Sequence, residues 1–259
     1  MRIAIWQPLA GRRDPAAAMQ ELEAAVKRAA RAGGAWLLAP EFLLPGTADP
    51  GLFARFAQPS DGPFPAAVAA LARRYRIGIA AGYVEAAFGQ LFSAAAVVDM
   101  RGIALGHYRR VHLADPERQV LSPGQWTTLL PDGTIRIGIL LGADLLVPEA
   151  ARVLALAGAG LLFACGAPAA VDGEIRRALA CARAVENGLP VVLAAFSDGR
   201  GWAGGAVDSD GRPIETVALD QHLVLASLTF GQRPALPVRR PDLYRLLCSD
   251  GGHGSNILP

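Results

Sequence analysis

Short apolar runs alternate with amphipathic segments from the start of the chain. Residues 3–6 are a β-branched run that predicts a strand. Asp14 can accept hydrogen bonds from the N-terminus of a helix, and Pro15 suits the first helical position because that position needs no N–H donor. Apolar residues then recur on one helical face until a Gly-Gly pair. Residues 35–39 predict a buried strand that delivers Glu41 at its C-terminal end.

The same alternation continues along the rest of the chain. Further helices are predicted at 65–74, 148–157 and 174–186. Further strands are predicted at 77–81, 91–98, 103–108, 135–141, 161–164, 190–195, 203–207 and 223–228. Apolar strands separated by amphipathic helices are typical of sheets covered by helices. The hydrophobic pattern alone therefore predicts an α/β fold. A dinucleotide-binding α/β domain is not indicated, because no G-x-G-x-x-G follows the first strand.

Composition agrees with a compact chain and excludes several functions. The 259 residues are 52% apolar and 19% charged, with a net charge of +2. A chain of this length can bury a substantial core as one large domain or two smaller ones. The near-neutral balance gives no reason to expect a nucleic-acid partner, which would require a clustered basic face. Cysteines without C-x-x-C spacing predict neither a disulfide framework nor a zinc site. We expect no metal and no organic cofactor.

One uncharged stretch needs a test for membrane insertion. Residues 153–171 carry no charge and are nearly long enough to span a bilayer. However, they contain Gly158, Gly160, Gly166 and Pro168. A helix end, a glycine turn and a buried strand explain the stretch better than a membrane span. No secretory signal precedes the first strand, so we expect a cytoplasmic protein.

Several motifs occur in a characteristic order. The segments that carry chemistry are Leu-Leu-Ala-Pro-Glu-Phe at 37–42, Gly-His-Tyr-Arg-Arg-Val-His-Leu at 106–113, and 137–149, which contains Leu-Gly-Ala-Asp. The supporting segments are 2–8, Glu117-Arg118 followed by Pro123-Gly124, Arg-Ala-Val-Glu-Asn at 183–187, and Arg240 with Pro-Asp-Leu-Tyr at 241–244. In this order they resemble the nitrilase superfamily, or carbon–nitrogen hydrolases.

That resemblance implies a fold, an assembly and a reaction. The fold is an α-β-β-α four-layer sandwich, here a single domain over 1–259. The assembly is a homodimer in which the sheets of two subunits join. The family breaks non-peptide C–N bonds with a Glu, a Lys and a Cys. Glu41 matches the Glu, Arg110 stands at the Lys position, and Gly142 stands at the Cys position. Glu117 matches a second carboxylate that is often counted as catalytic.

The chemistry of the family requires groups that this chain lacks. Attack on an amide or nitrile carbon needs a nucleophile, a base and a cation that stabilises the oxyanion. Gly142 has no side-chain atom for the attack, and Arg110 is bulkier than lysine and not readily deprotonated. We therefore predict a pseudoenzyme in which Glu41 and Arg110 form an ion pair. We also predict that Gly142 lies at a tight bend in a conformation that is costly for residues with a Cβ.

Three functional hypotheses remain open from the sequence. The first is a pseudoenzyme that binds a partner or a small amide-, nitrile- or carboxylate-like ligand, with Arg110 able to bind a carboxylate. The second is an active hydrolase that uses Cys165 as a relocated nucleophile, or a water activated by Glu41. The third is a structural subunit whose cavity has filled in. The first predicts an open cavity, contact between Glu41 and Arg110, and no thiol within reach. Asp144, Glu149 and His112 are interpreted as structural.

Overall fold

A computed structural model of the chain describes residues 1–12, 14–125, 127–133, 135–168 and 170–230. The C-terminal motif at Arg240 and 241–244, together with Cys248, lies outside the described residues. The helices are α1 (Pro15–Arg31), α2 (Pro50–Phe56), α3 (Pro63–Tyr75), α4 (Pro148–Leu156) and α5 (Gly173–Asn187). The strands are β1 (Arg2–Trp6), β2 (Trp36–Leu38), β3 (Gly78–Ala87), β4 (Gln90–Val98), β5 (Ala104–Arg109), β6 (Leu129–Asp132), β7 (Ile135–Leu141), β8 (Leu161–Cys165), β9 (Val191–Ala194), β10 (Gly204–Val207), β11 (Thr216–Asp220) and β12 (Leu223–Ser227).

The strands form two sheets. One is seven-stranded, in the order β11-β12-β1-β2-β3-β4-β5, and the other is five-stranded, in the order β10-β9-β8-β7-β6. Parallel pairs occur where a helix connects two strands, as in β1 with β2 through α1 and β7 with β8 through α4. The hairpin between β3 and β4 and the one between β4 and β5 are antiparallel.

Three apolar cores place these sheets in layers. The core between the sheets includes Ile5, Trp36, Ile139 and Phe163, which are fully or almost fully buried. A second core packs α1 and α3 on the outer face of the larger sheet. A third packs α4 and α5 on the outer face of the smaller sheet. The layer order is therefore α-β-β-α, and the predicted fold is confirmed.

The predicted elements are present, with three additions. The Asp14 carboxylate accepts hydrogen bonds from the N–H groups of Ala16 and Ala17, both at 3.1 Å, so the predicted start of α1 is confirmed. The helix α2 and the strands β6 and β11 were not predicted from the pattern. Within the described residues, no helix combines the length and the apolar character needed to cross a membrane.

The connections after β2, β5, β7 and β8 position the site. Each of these strands ends one to three residues before a site residue: Glu41, Arg110, Gly142 and Gly166. The first two follow strands of the larger sheet, and the last two follow strands of the smaller one. The site therefore lies where ends of the two packed sheets meet, and both sheets hold it in place.

Candidate functional site

Glu41 lies in space that neighbouring glycines leave free. A Cβ atom added to Gly82 would lie 2.4 Å from the Cα of Glu41, and one on Gly166 would lie 2.6 Å from its Cβ. A Cβ on Gly142 would lie 2.2 Å from its Oε2 atom. Real Cβ atoms do not approach other atoms so closely. The three glycines lie in separate segments of the chain, and Glu41 can occupy its position only because none of them has a Cβ atom.

Arg110 connects two buried carboxyl groups. Its Nη1 atom donates a hydrogen bond to Oε1 of Glu41 at 2.9 Å, and its Nη2 atom donates to Oε2 of Glu117. The Oγ of Ser93, on β4, donates to the same Oε1 of Glu41. Glu41 and Arg110, which we predicted to form an ion pair, are in hydrogen-bond contact, and Glu117 lies in the same cluster. The Nε atom of Arg110 is buried without an acceptor among the described residues.

Burial controls the protonation of this cluster. Desolvation raises the pKa of Glu41 to about 8; the Arg110 charge opposes the rise, the Glu117 charge adds to it, and the Ser93 hydrogen bond opposes it. Burial acts to lower the pKa of Arg110, but Glu41 and Glu117 outweigh burial and raise it. One cation faces two carboxyl groups here. A proton retained on Glu41 therefore leaves Arg110 and Glu117 as a charge-balanced pair.

Gly142 begins a short 3-10 helix, Gly142–Leu146, directly after β7. Its φ angle is +45°, in the left-handed region that favours glycine. The tight bend predicted at this position is present. A Cβ here would lie 2.2 Å from Oε2 of Glu41 and 2.6 Å from Nη1 of Arg110. Any side chain at position 142 would displace Glu41 and Arg110.

Asp144 fixes the backbone around Gly142. Its carboxylate accepts hydrogen bonds from the backbone N–H of Leu141 at 3.0 Å and from the Tyr108 hydroxyl at 2.7 Å. It also accepts one from the backbone N–H of His112 at 2.9 Å and contacts the Nδ1 of that ring at 2.8 Å. Asp144 is fully buried. It joins β5, β7 and the loop after Arg110, which agrees with the structural role predicted for Asp144 and His112.

Cys165 ends β8 as predicted, but its side chain faces the core between the sheets. The residue is fully buried, and it does not belong to the described lining of the cavity beside Glu41. Burial, and then the Glu41 charge, raise the pKa of its thiol well above the ordinary value. Little thiolate is present at such a site, and thiolate is the reactive form. This environment does not favour a role as a relocated nucleophile.

An open cavity of about 310 Å³ adjoins the ion pair. Its inner wall includes Glu41, Arg110 and Glu117. The rest of the lining is largely apolar or small: Ala10, Phe42, Ala48, Ala114, Pro116, Ala143, Leu146, Gly166, Ala167, Pro168, Ala170, Ala195 and Phe196. A volume near the lower limit of ligand pockets suits a small molecule. The cavity has not filled in.

A second charged wall of the cavity was not predicted from the sequence. Arg176, on α5, is buried and donates from Nη2 to Asp198 at 2.5 Å. The Nη2 atom of Arg200 donates to the same oxygen at 2.6 Å. Burial opposes ionisation, but these hydrogen bonds hold the pKa of Asp198 well below its usual range. The sequence did not indicate that Arg176 lines the cavity, because arginine in an amphipathic helix is expected on the solvent face.

Among the described residues, no group of three or more His, Cys, Asp or Glu side chains could hold a metal ion.

Comparison with known proteins assigns the family. A model described as "Carbon-nitrogen hydrolase" matches residues 2–213. The chain belongs to the carbon–nitrogen hydrolase family. An (R)-stereoselective amidase from Pseudomonas sp. is 33% identical over 206 residues, which cover 77% of this chain and 74% of that protein. A hydrolase in the pqqF 5' region of Pseudomonas protegens is 31% identical over 262 residues, which cover 94% of this chain and 90% of that protein.

Solved structures agree with this carbon–nitrogen hydrolase assignment. A double mutant of the amidase from Nesterenkonia sp. AN1 in complex with acrylamide superposes with a TM-score of 0.83 at 25% identity, covering 95% of this chain and 97% of that one. A second structure of that amidase shows Michael addition of acrylamide at its active site cysteine. It superposes with a TM-score of 0.82 at 25% identity, covering 95% of this chain and 99% of that one. The nitrilase-type resemblance expected from the motifs is thereby confirmed.

Proposed function

We propose that this member of the carbon–nitrogen hydrolase family is a pseudoenzyme that binds a small polar ligand beside Glu41 without cleaving it. The observation that carries the proposal is the environment of position 142. Gly142 offers no nucleophilic atom, and Oε2 of Glu41 and Nη1 of Arg110 lie where a side chain there would begin. The acyl-enzyme route needs a nucleophile at the cavity wall. The side chains of Glu41 and Arg110 occupy that space instead.

The protonation of Glu41 favours an uncharged ligand head group. A carboxyl whose pKa is raised to about 8 holds its proton at neutral pH, so it can both donate and accept. Its Oε2 atom receives no hydrogen bond from the described residues. A primary amide has the complementary donor and acceptor. Arg110 already binds Glu41 and Glu117, so the geometry does not favour our sequence-based idea that it binds a ligand carboxylate.

Neither rival hypothesis has equal support. A relocated nucleophile would require the Cys165 thiol at the cavity, whereas this thiol packs in the core between the sheets. A water activated by Glu41 would require the ionised carboxylate, which the raised pKa disfavours at neutral pH. A structural subunit would have a collapsed site, whereas the cavity holds about 310 Å³. The homodimer, the cytoplasmic location and the single domain over 1–259 stay predictions.

Two assays on the same protein test the proposal. The first measures ammonia release from a panel of amides, nitriles and N-carbamoyl compounds, with the wild type beside Cys165→Ala. We expect no release from either protein. Release that disappears in Cys165→Ala would make Cys165 the nucleophile, and release that survives would indicate a water activated by Glu41. Either result would overturn the proposal.

The second assay measures thermal stability with small primary amides. Ligand at about ten times its Kd adds about 1.4 kcal/mol to the free energy of unfolding, or about 3–5 °C in Tm for a protein of this size. We expect that shift in the wild type and its loss in Glu41→Ala. Glu149→Gln, an exposed change at the start of α4, is the matched control and should keep the shift. No shift with any amide would exclude ligand binding of this kind.

A further inference from the structure

The second charged wall of the cavity carries one excess positive charge. Arg176 and Arg200 both donate hydrogen bonds to the carboxylate of Asp198, and all three residues line the cavity. Burial opposes ionisation of Asp198, but the hydrogen bonds from the arginines keep its pKa low, so the carboxylate is charged at neutral pH. A guanidinium group does not lose its proton in a protein. Two cations therefore accompany one anion on this wall.

No other charged group of the described lining compensates this excess. On the first wall, Glu41 holds its proton at neutral pH, and Arg110 and Glu117 balance each other. Asp115 also belongs to the lining, but its carboxylate is exposed and pairs with Arg118. Solvent screens a charge less when protein surrounds it than when it lies on an open surface. The cavity therefore favours a ligand with one negative charge.

The charged wall is built into the fold rather than formed by surface side chains alone. Arg176 is 3% exposed. The backbone N–H of Gly173, at the start of α5, donates to the carbonyl of Arg200 at 2.6 Å. A Cβ on Gly173 would lie 2.0 Å from the backbone nitrogen of Trp202, so only glycine permits this close approach. The first turn of α5 and the loop at 198–202 therefore hold each other in place.

The hydrogen-bond balance of this wall calls for an acceptor rather than a donor. The Asp198 carboxylate accepts hydrogen bonds from two nitrogens of Arg176 and three of Arg200. A carboxylate offers about four acceptor positions, so Asp198 is fully used and cannot also bind a ligand cation. Arg176 has the opposite imbalance, because its buried Nε has no acceptor among the described residues. A further anion would complete the wall.

We infer that Arg176 and Arg200 form a carboxylate subsite, and that the ligand is a small primary amide that also carries one carboxylate. The monoamide of a short dicarboxylic acid has this chemistry. The inference deepens the proposed function and rests on it for the amide end, which lies beside Glu41. The carboxylate end accepts charge-assisted hydrogen bonds from the guanidinium groups, whose planar forks match carboxylate geometry. Such a ligand leaves the cavity electrically balanced.

Titration calorimetry with matched amides tests the subsite. Succinamate and butyramide share the amide end and the chain length, but one ends in a carboxylate and the other in a methyl group. We expect succinamate to bind with a Kd about tenfold lower, because charge-assisted hydrogen bonds are strong. Malonamate and glutaramate cover shorter and longer distances between the two walls. If none of these monoamides binds more tightly than butyramide, the inference is wrong. Tighter binding of β-alaninamide, which ends in an ammonium group, would also overturn it.

Arg200→Gln separates ligand binding from a structural role. The Arg200 side chain is 47% exposed, so we expect the variant to fold. The Kd of succinamate should rise about tenfold, to the value for butyramide, while the Kd of butyramide stays unchanged. Arg28→Gln is the matched control and should change neither Kd. Arg28 is 55% exposed in its own pair with Asp220, and it does not belong to the described lining of the cavity. Equal weakening of both ligands in Arg200→Gln would mean that Arg200 only orders its loop, and the inference would fall.

The two proposals fail in different ways. Butyramide that binds the wild type but not Glu41→Ala, with no gain for succinamate, would support the proposed function and remove the carboxylate subsite. Succinamate that keeps its Kd in Glu41→Ala but loses affinity in Arg200→Gln would support the subsite and remove the amide site. Release of ammonia from succinamate would overturn the pseudoenzyme alone. If neither ligand binds the wild type, both proposals fall.

Discussion

Glu41 gives the free energy of unfolding a pH dependence of unusual sign. Its pKa rises from 4.5 to about 8 because burial disfavours the charged form more than Arg110 stabilises it. Between these pH values the folded state keeps a proton that the unfolded chain has lost. The contribution of the Glu41 carboxyl to the free energy of unfolding is therefore fully present below about pH 4.5, and it is lost as pH rises through about 8. Glu41→Gln, which is always neutral, lacks this dependence.

We expect Glu41→Gln to gain stability relative to the wild type between pH 5 and pH 9, by on the order of 4 kcal/mol. Denaturant unfolding at several pH values measures this difference.

Glu85→Gln is the control, for which we expect the opposite pH dependence of the stability difference. Burial opposes ionisation of Glu85, but its hydrogen bonds with Arg109 and His107 lower its pKa to about 2. The wild type should exceed Glu85→Gln above about pH 4.5 and lose this advantage as pH falls toward 2. A constant difference for Glu41→Gln would show that Glu41 is ionised throughout.

Arg110 is expected to be a stabilising residue as well as a steric block. Arg110→Ala leaves the buried Glu117 carboxylate without its cation and Glu41 without a hydrogen-bond donor, and it should cost about 3–5 kcal/mol of unfolding free energy. Arg118→Ala removes an exposed ion pair with Asp115 and should cost less than about 1 kcal/mol. Chemical denaturation of both variants at pH 7 measures the costs. Similar losses in the two would mean that the buried cluster relaxes when the guanidinium is removed.

The sequence predicts the central residues of the site, but it does not predict the contact of Ser93 or the direction in which Cys165 points. Glu41, Arg110 and Gly142 lie in motifs whose order indicates the family, so their meeting could be expected. Ser93 is a single serine in an apolar strand, and nothing in the pattern shows that its hydroxyl meets Glu41. The side of β8 that Cys165 occupies depends on which sheet face meets the other sheet. A strand buried on both faces gives no alternation from which to decide this.

At the scale of elements, Asp144 holds the turn that presents Gly142. Asp144→Ala should cost about 3 kcal/mol, because the buried Tyr108 hydroxyl and the Leu141 N–H lose their acceptor. Asp49→Ala removes an exposed cap of α2 and should cost about 1 kcal/mol. Urea unfolding gives both values. If Asp144→Ala costs no more than Asp49→Ala, the turn is held by packing rather than by the carboxylate.

The elements missed from sequence share a physical reason. The helix α2 has seven residues, too few for a hydrophobic period to show. The strand β6 contains Pro131, which normally argues against a strand and is accepted here at the sheet edge. The strand β11 is also at an edge, and its residues are exposed or half-buried, so it lacks an apolar face. Long amphipathic helices and buried strands carry the pattern that these edge elements lack.

At the scale of the whole molecule, the two helix layers differ in their outer surfaces. On the smaller sheet, α4 exposes Val153 and Leu156, and α5 exposes Ile175 and Val185. The helices α1 and α3, described over their full lengths, expose no large hydrophobic residue. Apolar residues exposed on one layer, rather than scattered singly over the surface, are typical of a layer that binds another protein. This asymmetry supports the α4–α5 layer as the place where the predicted homodimer forms.

We expect the protein to sediment as a dimer and to become monomeric when Leu156 and Val185 are replaced by glutamate. Each substitution places a charge where apolar surface would be buried between subunits, and an unpaired buried charge costs several kcal/mol. Val217→Glu, on the exposed strand β11, is the matched control because its side chain is at least as exposed as theirs. It should leave the dimer intact. Sedimentation at several protein concentrations separates the cases. A monomeric wild type would contradict the homodimer, and a dimer that survives Leu156→Glu with Val185→Glu would move the interface away from α4 and α5.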